Sequence, residues 1–341
     1  MTAPLLSIRD LSVSYVVGNG MVHAVDGATF DVPAAGIVGL VGESGCGKST
    51  VARALTRVVP KNARFAGGEV FFDGTDLLKL SEGEMNRLRW GDIAFIPQSA
   101  MNSLDPVYRI ETQLGEVLRQ RGGLSKAEAR EKSEALFELV GIEPRRLRDF
   151  PHQFSGGMRQ RVAIALALAL DPKLIIADEP VTALDVIVQR QILDQLQSLQ
   201  QRLGISVILV THDISVVAYV CDRIVVMYAG QVVESGDTRT VLTAPYHPYT
   251  MGLYNAFPDL QSSQGILTPI EGSPPDLSAP PSGCRFAPRC PFVEPECRTT
   301  EMVLHEVEIV DGPAGHVSAC RRNQDAQMLR AKASEVATWS A

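Results

Sequence analysis

The first 75 residues contain two patterns of apolar and polar positions. Residues 5–35 and 68–75 alternate apolar with polar side chains and include the turn sequences GNG and FDG, which predicts antiparallel strands. Residues 36–42, GIVGLVG, are almost continuously apolar, as in a strand buried on both faces, and STVARALTRVV from residue 49 has helical spacing. The sequence therefore predicts an antiparallel subdomain beside a buried strand, a loop and a helix.

Two later regions differ from this beginning. Residues from about 99 to 170 are rich in helix formers and charged side chains, and the segment LSKAEAREKSEALFELVG is amphipathic and ends at Gly141. From about Leu267 the composition shifts to prolines and small residues, TPIEGSPPDLSAPPSG, which favours extended chain. We therefore expect a helical subdomain followed, much later, by an extension of different character.

The loop after the buried strand reads GESGCGKST and matches the phosphate-binding loop pattern. Glycines let backbone N–H groups surround phosphate oxygens, and a lysine adds positive charge at the β and γ phosphates of a nucleotide. The serine after the lysine supplies an oxygen to Mg²⁺. The predicted nucleotide-binding residues are Gly42, Glu43, Ser44, Gly45, Cys46, Gly47, Lys48, Ser49 and Thr50.

A second candidate element, LIIADE, ends in the acidic pair Asp178 and Glu179. Because ligands of open α/β sheets bind at the carboxyl ends of the strands, both side chains are expected at that edge. Asp178 can hold Mg²⁺ directly or through water, and Glu179 can reach the water that attacks the γ-phosphate. Apolar strands that end in two acidic residues are common, so this element indicates a nucleotide site only in combination with the phosphate loop.

The segment FSGGMRQR, residues 154–161, resembles the signature of ATP-binding-cassette ATPases. Further motifs of that family follow in the expected order: Tyr15 in SVSY resembles the adenine-stacking aromatic and Gln98 in FIPQ the Q-loop glutamine. TALD, ending at Asp185, is similar to the D-loop, and His212 in VTHD to the switch histidine. Seven ordered motifs between about residues 5 and 235 carry the resemblance.

The resemblance implies a role for each of these residues. Glu179 would polarise the attacking water, His212 would stabilise the γ-phosphate in the transition state, and Gln98 would sense Mg²⁺ and that water. The signature would act on the ATP of a partner subunit. The implied signature residues are Ser155, Gly156, Gly157 and Gln160, the D-loop residue is Asp185, and the Mg²⁺ ligands are Ser49, Gln98 and Asp178.

Three positions depart from the commonest family pattern. Phe154 stands where leucine is usual, Met158 where glutamine is usual, and Thr182 where serine is usual in the D-loop. The hydroxyl of Ser155 and the backbone N–H groups of the two following glycines are retained, which suits anion binding at a helix start. We therefore expect a functional signature.

The fold expected from this resemblance is an α/β P-loop NTPase with a RecA-like core, an antiparallel β-subdomain, a helical subdomain and a small C-terminal metal-cluster extension. We predict an ATP-binding cassette domain over residues 5–243, with the helical subdomain at about 99–170. The extension, which resembles that of the oligopeptide and dipeptide importer branch, is predicted over residues 244–325, with a tail over 326–341.

Four of the six cysteines lie in that extension, at Cys284, Cys290, Cys297 and Cys320. Clustered cysteines in a reducing compartment indicate metal ligands more than disulfides, and four thiolates suit either zinc or an iron-sulfur cluster. The absence of a tight C-x2-4-C pair disfavours zinc mildly, and free thiols are a third alternative. Resemblance to the peptide-importer branch implies a [4Fe-4S] cluster. We expect Cys46 and Cys221 to lie outside it.

Composition limits the remaining functions. The net charge of −7 gives no basic surface for nucleic acid, and no apolar run approaches the roughly 18 residues that span a bilayer. The N-terminus lacks a signal-peptide pattern, so we expect a peripheral protein at the cytoplasmic face of the membrane. No NKxD motif occurs, which disfavours a GTPase.

The expected function is ATP hydrolysis that drives uptake of dipeptides or oligopeptides. The implied partners are a second, non-identical cassette subunit, two transmembrane permease subunits and an extracytoplasmic peptide-binding protein. Import of nickel or another small solute is an alternative. A soluble cassette ATPase acting on ribosomes or DNA is a more distant one, because neither a second cassette nor a long coiled-coil insertion is visible.

Overall fold

The computed structural model describes residues 3–255, 269–307 and 314–339, which form two compact units. The phosphate-loop unit comprises the described parts of residues 1–32, 38–76 and 211–341, and the helical unit comprises residues 33–37 and 77–210. Parts of the predicted extension, residues 256–268 and 308–313, and the last two residues of the predicted tail lie outside the described residues.

The phosphate-loop unit contains most of the strands. Its first elements are β1 (Leu6–Val17), β2 (Gly20–Val32), β3 (Ile37–Val41), α1 (Lys48–Leu55), β4 (Ala63–Phe72) and β5 (Thr75–Asp76). The helical unit follows with α2 (Glu82–Gly91), β6 (Ile93–Ile96), α3 (Ile110–Gln120), α4 (Lys126–Leu139), α5 (Gly156–Ala167), β7 (Leu174–Asp178), α6 (Val186–Leu203) and β8 (Ser206–Thr211).

The chain then returns to the phosphate-loop unit. This part contains α7 (Ile214–Val220), β9 (Arg223–Tyr228), β10 (Gln231–Asp237), α8 (Thr238–Thr243), α9 (Pro248–Asn255), β11 (His305–Glu306), β12 (Val317–Ser318) and α10 (Ala326–Ala333). Short 3₁₀ helices lie at Ala100–Asn102, Pro144–Arg148, Pro151–Gln153, Ala287–Arg289, Pro295–Arg298, Asn323–Asp325 and Val336–Thr338.

The predicted antiparallel subdomain is present as a sheet with strand order β2, β1, β4, β5. Strand β4 begins at Ala63, earlier than the alternation at 68–75 indicates, because Ala63 and Phe65 pair with β1 although this half of the strand is exposed. A half-strand exposed in this way buries no face, so it leaves no period-two pattern in the sequence. Within the same unit β3 pairs in parallel with β9, which pairs antiparallel with β10.

The helical unit combines a parallel sheet with the predicted helices. Strands β6, β7 and β8 pair in parallel in that order, and every residue of β7 and β8 is buried, as continuous apolar runs require. Helix α4 begins with a capping box between Ser125 and Glu128 and is followed by Gly141 in the left-handed region, at a φ of 68°. The predicted amphipathic helix is therefore present with both of its end signals.

The last described residues form a folded element that the sequence pattern did not predict. Trp339 is 5% exposed, and its indole N–H donates to the carbonyl of Ala333 in α10 at 2.8 Å. Its ring lies against Gly252 in α9, where a Cβ atom would be 2.7 Å from it. Among the described residues no helix is long and apolar enough to cross a membrane.

Candidate nucleotide site and cysteine cavity

The phosphate loop connects the buried strand β3 to α1, which begins at Lys48. Gly47 has a φ of 103°, and a Cβ atom there would lie 2.2 Å from the carbonyl oxygen of Ala24. A Cβ atom on Gly42 would lie 2.1 Å from the carbonyl oxygen of Met227. Any side chain at either position collides with neighbouring backbone, so the tight loop that exposes N–H groups to phosphate depends on glycine.

Lys48 places its charge inside this loop. Its side chain is buried, and Nζ donates to the carbonyl oxygens of Gly42 at 2.7 Å and Glu43 at 2.8 Å. The Tyr15 hydroxyl lies 3.1 Å from Thr50 Oγ1, in the first turn of α1. The structure thus brings Tyr15, the loop and the start of α1 together in one unit.

In the helical unit the two acidic residues follow the buried strand β7. Asp178 is 1% exposed, and Glu179 has a φ of 49°, a strained value for a residue with a side chain. Glu179 Oε2 accepts hydrogen bonds from Gln98 Nε2 at 3.0 Å and from Thr182 Oγ1 at 2.9 Å. Two neutral donors therefore orient this carboxylate at the end of the strand.

The signature lies at the start of α5. Ser155 is the N-cap residue, and its Oγ accepts from the N–H of Met158 at 3.4 Å. Gly157 lies against Val188 in the first turn of α6, where a Cβ atom would be 2.5 Å from Cγ1, and Asp185 caps α6 by accepting from Val188 N–H at 3.0 Å. The signature and D-loop motifs therefore form adjacent helix starts within the helical unit.

The side chain of Gln160 is enclosed inside the helical unit. Its side chain is 2% exposed, and in the described part of the chain its Nε2 has no hydrogen-bond partner. Helix α5 is buried on several sides by its apolar residues, so a glutamine one turn into the helix is enclosed with them. Gln160 therefore lies in the interior of the helical unit.

His212 belongs to the phosphate-loop unit and directly follows β8. The next residue, Asp213, caps α7 by accepting from the N–H of Ser215 at 2.8 Å. The structure thus places Tyr15, the phosphate loop and His212 in one unit, and the residues Gln98, Ser155, Asp178, Glu179 and Asp185 in the other.

All four cysteines of the extension line one small cavity, of about 20 Å³, together with His247 and Phe286. Burial, the largest cause, and the neighbouring cysteines together raise the pKa of both Cys290 and Cys320 to about 12, although a backbone N–H group at each thiol opposes the shift. Within residues 3–255, 269–307 and 314–339, no three or more His, Cys, Asp or Glu side chains have the arrangement of a site for a metal ion. Cys46 and Cys221 are buried and do not line this cavity.

Sequence reasoning missed a set of residues that join the extension to the phosphate loop. Arg289 forms a bidentate ion pair with Glu43, with Nη1–Oε2 and Nη2–Oε1 distances of 2.8 and 3.0 Å. Tyr249 Oη accepts the N–H of Glu43 at 2.9 Å. The one signal in the sequence is CRFAPRC, in which an arginine adjoins each cysteine.

Comparison with known proteins agrees with this geometry. Residues 25–182 match the family described as ABC transporter, and residues 233–297 match the family described as oligopeptide/dipeptide transporter, C-terminal region. The chain is 45% identical over 325 residues to a probable peptide ABC transporter ATP-binding protein, y4tR, of Sinorhizobium fredii, covering 94% of this chain and 96% of that protein. It is 46% identical over 290 residues to the dipeptide transport ATP-binding protein DppD of Bacillus subtilis, covering 84% and 87%.

Solved structures show the same fold. The ATP-binding cassette MJ0796, in a dimeric post-hydrolysis state bound to ADP and Pi, superposes with a TM-score of 0.61 at 29% identity, covering 69% of this chain and 99% of that one. The molecule is therefore an ABC ATPase cassette, a class of P-loop NTPase. More narrowly, the chain belongs to the ABC transporter ATP-binding proteins that carry the oligopeptide/dipeptide transporter C-terminal region.

Proposed function

We propose that this chain is the ATP-hydrolysing subunit of an importer of dipeptides or oligopeptides, bound peripherally at the cytoplasmic face of the membrane. The observation that carries the proposal is the extent of similarity to peptide transport ATP-binding proteins. That similarity includes the extension as well as the cassette: 46% identity to the oligopeptide transport protein OppD of Salmonella typhimurium covers 86% of this chain and 88% of that one.

The residues of the site support hydrolysis as follows. Backbone N–H groups of the phosphate loop and Lys48 bind the ATP phosphates, and Ser49, Gln98 and Asp178 would hold Mg²⁺. Glu179, held by Gln98 and Thr182, takes a proton from the water whose oxygen attacks the γ-phosphorus. The bond from that phosphorus to the β,γ-bridging oxygen breaks, leaving ADP and phosphate, and His212 stabilises the charge that develops.

A second cassette completes each site in this proposal. The start of α5, with Ser155, Gly156 and Gly157, acts on the nucleotide of the partner, and Asp185 lies beside it at the start of α6. The dimeric state of MJ0796 supports such an arrangement. We propose a non-identical cassette as the partner, together with two permease subunits and an extracytoplasmic peptide-binding protein.

Membrane recruitment tests this proposal. The chain is expressed with and without the candidate permeases, and membranes are collected by sedimentation. Membrane association that depends on the permeases is the expected result. Association with ribosomes in place of membranes would contradict transport and favour the soluble alternative, and uptake of nickel without peptides would favour the small-solute alternative.

We also propose that Cys284, Cys290, Cys297 and Cys320 hold a [4Fe-4S] cluster. Their convergence on one cavity, from positions up to 36 residues apart, supports a shared ligand. Tetrahedral zinc needs four sulfurs at about 2.3 Å from a single centre, whereas a cluster of four irons keeps its cysteines farther apart. Four thiolates are the ligand set of a [4Fe-4S] cluster, and the absence of a tight C-x2-4-C pair disfavours zinc. Two of the four ligands lie in the cysteine loop, residues 284–290, and the cavity of about 20 Å³ would have to widen to admit a cluster.

Metal analysis distinguishes the alternatives. Iron, acid-labile sulfide and zinc are measured in anaerobically purified protein, in Cys284→Ser and in the control Cys221→Ser, which changes a buried cysteine outside the cavity. About four iron and four sulfide per chain, lost only in Cys284→Ser, are expected for the cluster. Zinc alone, or no metal, would contradict the cluster and leave the ATPase assignment in place.

A further inference from the structure

The cysteine loop is attached to the phosphate loop by a fully satisfied guanidinium group. Arg289 immediately precedes Cys290, and its side chain is 6% exposed. Besides the two bonds to Glu43, it donates to the Tyr228 hydroxyl at 3.2 Å. It also donates to the backbone carbonyls of Ile270 at 3.0 Å and Glu271 at 2.8 Å. All five N–H donors of the guanidinium are therefore used, which a surface contact rarely achieves.

Glu43 receives these contacts within the phosphate loop itself. Its carboxylate is held by Arg289, its N–H donates to Tyr249 Oη, and its carbonyl accepts from Lys48 Nζ. Each polar part of this one loop residue is thereby fixed, and two of the three fixing groups come from the C-terminal region. Because a loop ordered before binding loses less conformational entropy on binding, this arrangement favours nucleotide affinity.

The cysteine loop has further attachments that make it a rigid support. Arg285, which follows Cys284, is buried and pairs with Asp26 in β2, and it donates to the carbonyl of Ala229 at 2.5 Å. Phe286 is fully buried against the rings of Tyr228 and Tyr249, with centroid distances of 5.2 and 5.4 Å. The loop that carries two of the four cysteines is thus packed directly against the elements that flank the phosphate loop.

We propose that Arg289 and Tyr249 are positioning residues for ATP binding: they hold Glu43 in place, so the cysteine loop sets the affinity of the phosphate loop for ATP. Neither residue is expected to touch the nucleotide. This inference rests on ATP binding by the loop and is independent of the cargo that the transporter carries.

Nucleotide affinity of the intact chain tests the proposal. The dissociation constant of a fluorescent ATP analogue with Mg²⁺ is measured for wild type, Arg289→Gln, Glu43→Gln and the double variant. Arg289→Gln is expected to weaken binding about tenfold, equivalent to about 1.4 kcal/mol. In steady-state hydrolysis the KM for ATP is expected to rise while kcat stays within about twofold, because the proposal gives Glu43 a role in binding and none in activating the attacking water.

Two variants separate positioning from folding. Arg298→Gln is the matched control, because Arg298 is exposed and adjoins Cys297 as Arg289 adjoins Cys290, and it is expected to leave affinity unchanged. Arg289→Lys keeps the charge but cannot form the bidentate pair, so its affinity for the ATP analogue is expected to lie between those of Arg289→Gln and wild type. Amide hydrogen exchange in residues 42–47 is expected to accelerate in Arg289→Gln and not in Arg298→Gln.

The double variant decides the route of the effect. If Arg289 acts through Glu43, the double variant binds the analogue about as weakly as either single variant. Independent, multiplying effects of the two changes would overturn the proposal. An unchanged dissociation constant in folded Arg289→Gln would also overturn it. If Arg289→Gln fails to fold, an unchanged dissociation constant in Glu43→Gln has the same consequence.

Discussion

The phosphate loop and the cysteine loop are both short segments with unusual composition, and they achieve order in opposite ways. The phosphate loop depends on glycines within nine consecutive residues, because Gly42 and Gly47 lie too close to the carbonyl oxygens of Met227 and Ala24 to carry a side chain. The cysteine loop is ordered by side chains whose partners lie far away, as in the Arg289–Glu43 pair, 246 residues apart. The glycine pattern of the phosphate loop can be recognised in the sequence. The long-range side-chain contacts of the cysteine loop can be recognised only in the folded chain.

The largest expected effect concerns Glu179, the acidic residue that follows β7. Glu179→Gln removes the base while retaining a side chain of similar size that Gln98 and Thr182 can still contact. Hydrolysis is expected to fall at least about 10²-fold, as for the loss of a general base, while ATP still binds. Phosphate release and nucleotide binding are measured on the same preparation. Retained turnover would remove Glu179 from the proposed role.

A smaller effect is expected from the signature serine. In an assembly of two different cassettes, Ser155→Ala is expected to slow hydrolysis at the partner's site about tenfold or more, because that site loses a polar group at a helix start. Ser125→Ala is the control, since Ser125 also caps a helix of the same unit, so both changes cost about 1 kcal/mol of stability. An effect confined to the same chain's own phosphate loop would contradict the two-cassette site.

A smaller effect than that of Ser155→Ala is expected when the hydroxyl of Tyr249 is removed, and it concerns the affinity for MgATP. Tyr249→Phe removes the acceptor for the Glu43 N–H and keeps the ring packed against Tyr228, so MgATP binding is expected to weaken about fivefold. Tyr254→Phe, on the exposed side of the same helix, is the control. Equal dissociation constants for the two variants would show that Tyr249 does not support the loop.

The smallest effect is expected at Gln160. Because this side chain is buried with an unpartnered Nε2, Gln160→Met is expected to leave stability unchanged or raise it by about 1 kcal/mol. Hydrolysis at the partner's site is expected to stay within about twofold of wild type. If Gln160→Met reduced hydrolysis at the partner's site as much as Ser155→Ala does, Gln160 would have the role in the signature that its sequence position suggested.

Sequence alone predicted the elements whose cause is local. The phosphate loop, the capped helix α4 and the buried strand β7 each have a recognisable residue pattern within one contiguous segment. Gln160 was assigned by motif position, and only the packing of α5 shows that it is enclosed. Tyr249 and Arg289 lie 206 and 246 residues from Glu43, and no spacing rule relates residues at such distances.

The most direct test of the account is ATP hydrolysis by this chain in vesicles, assembled with the proposed partner cassette, permeases and binding protein. The account predicts that a transported peptide stimulates phosphate release severalfold and that Glu179→Gln in this chain reduces the stimulated rate. If peptide does not change the rate of hydrolysis in the complete assembly, or if only nickel or ribosomes change it, the account is contradicted.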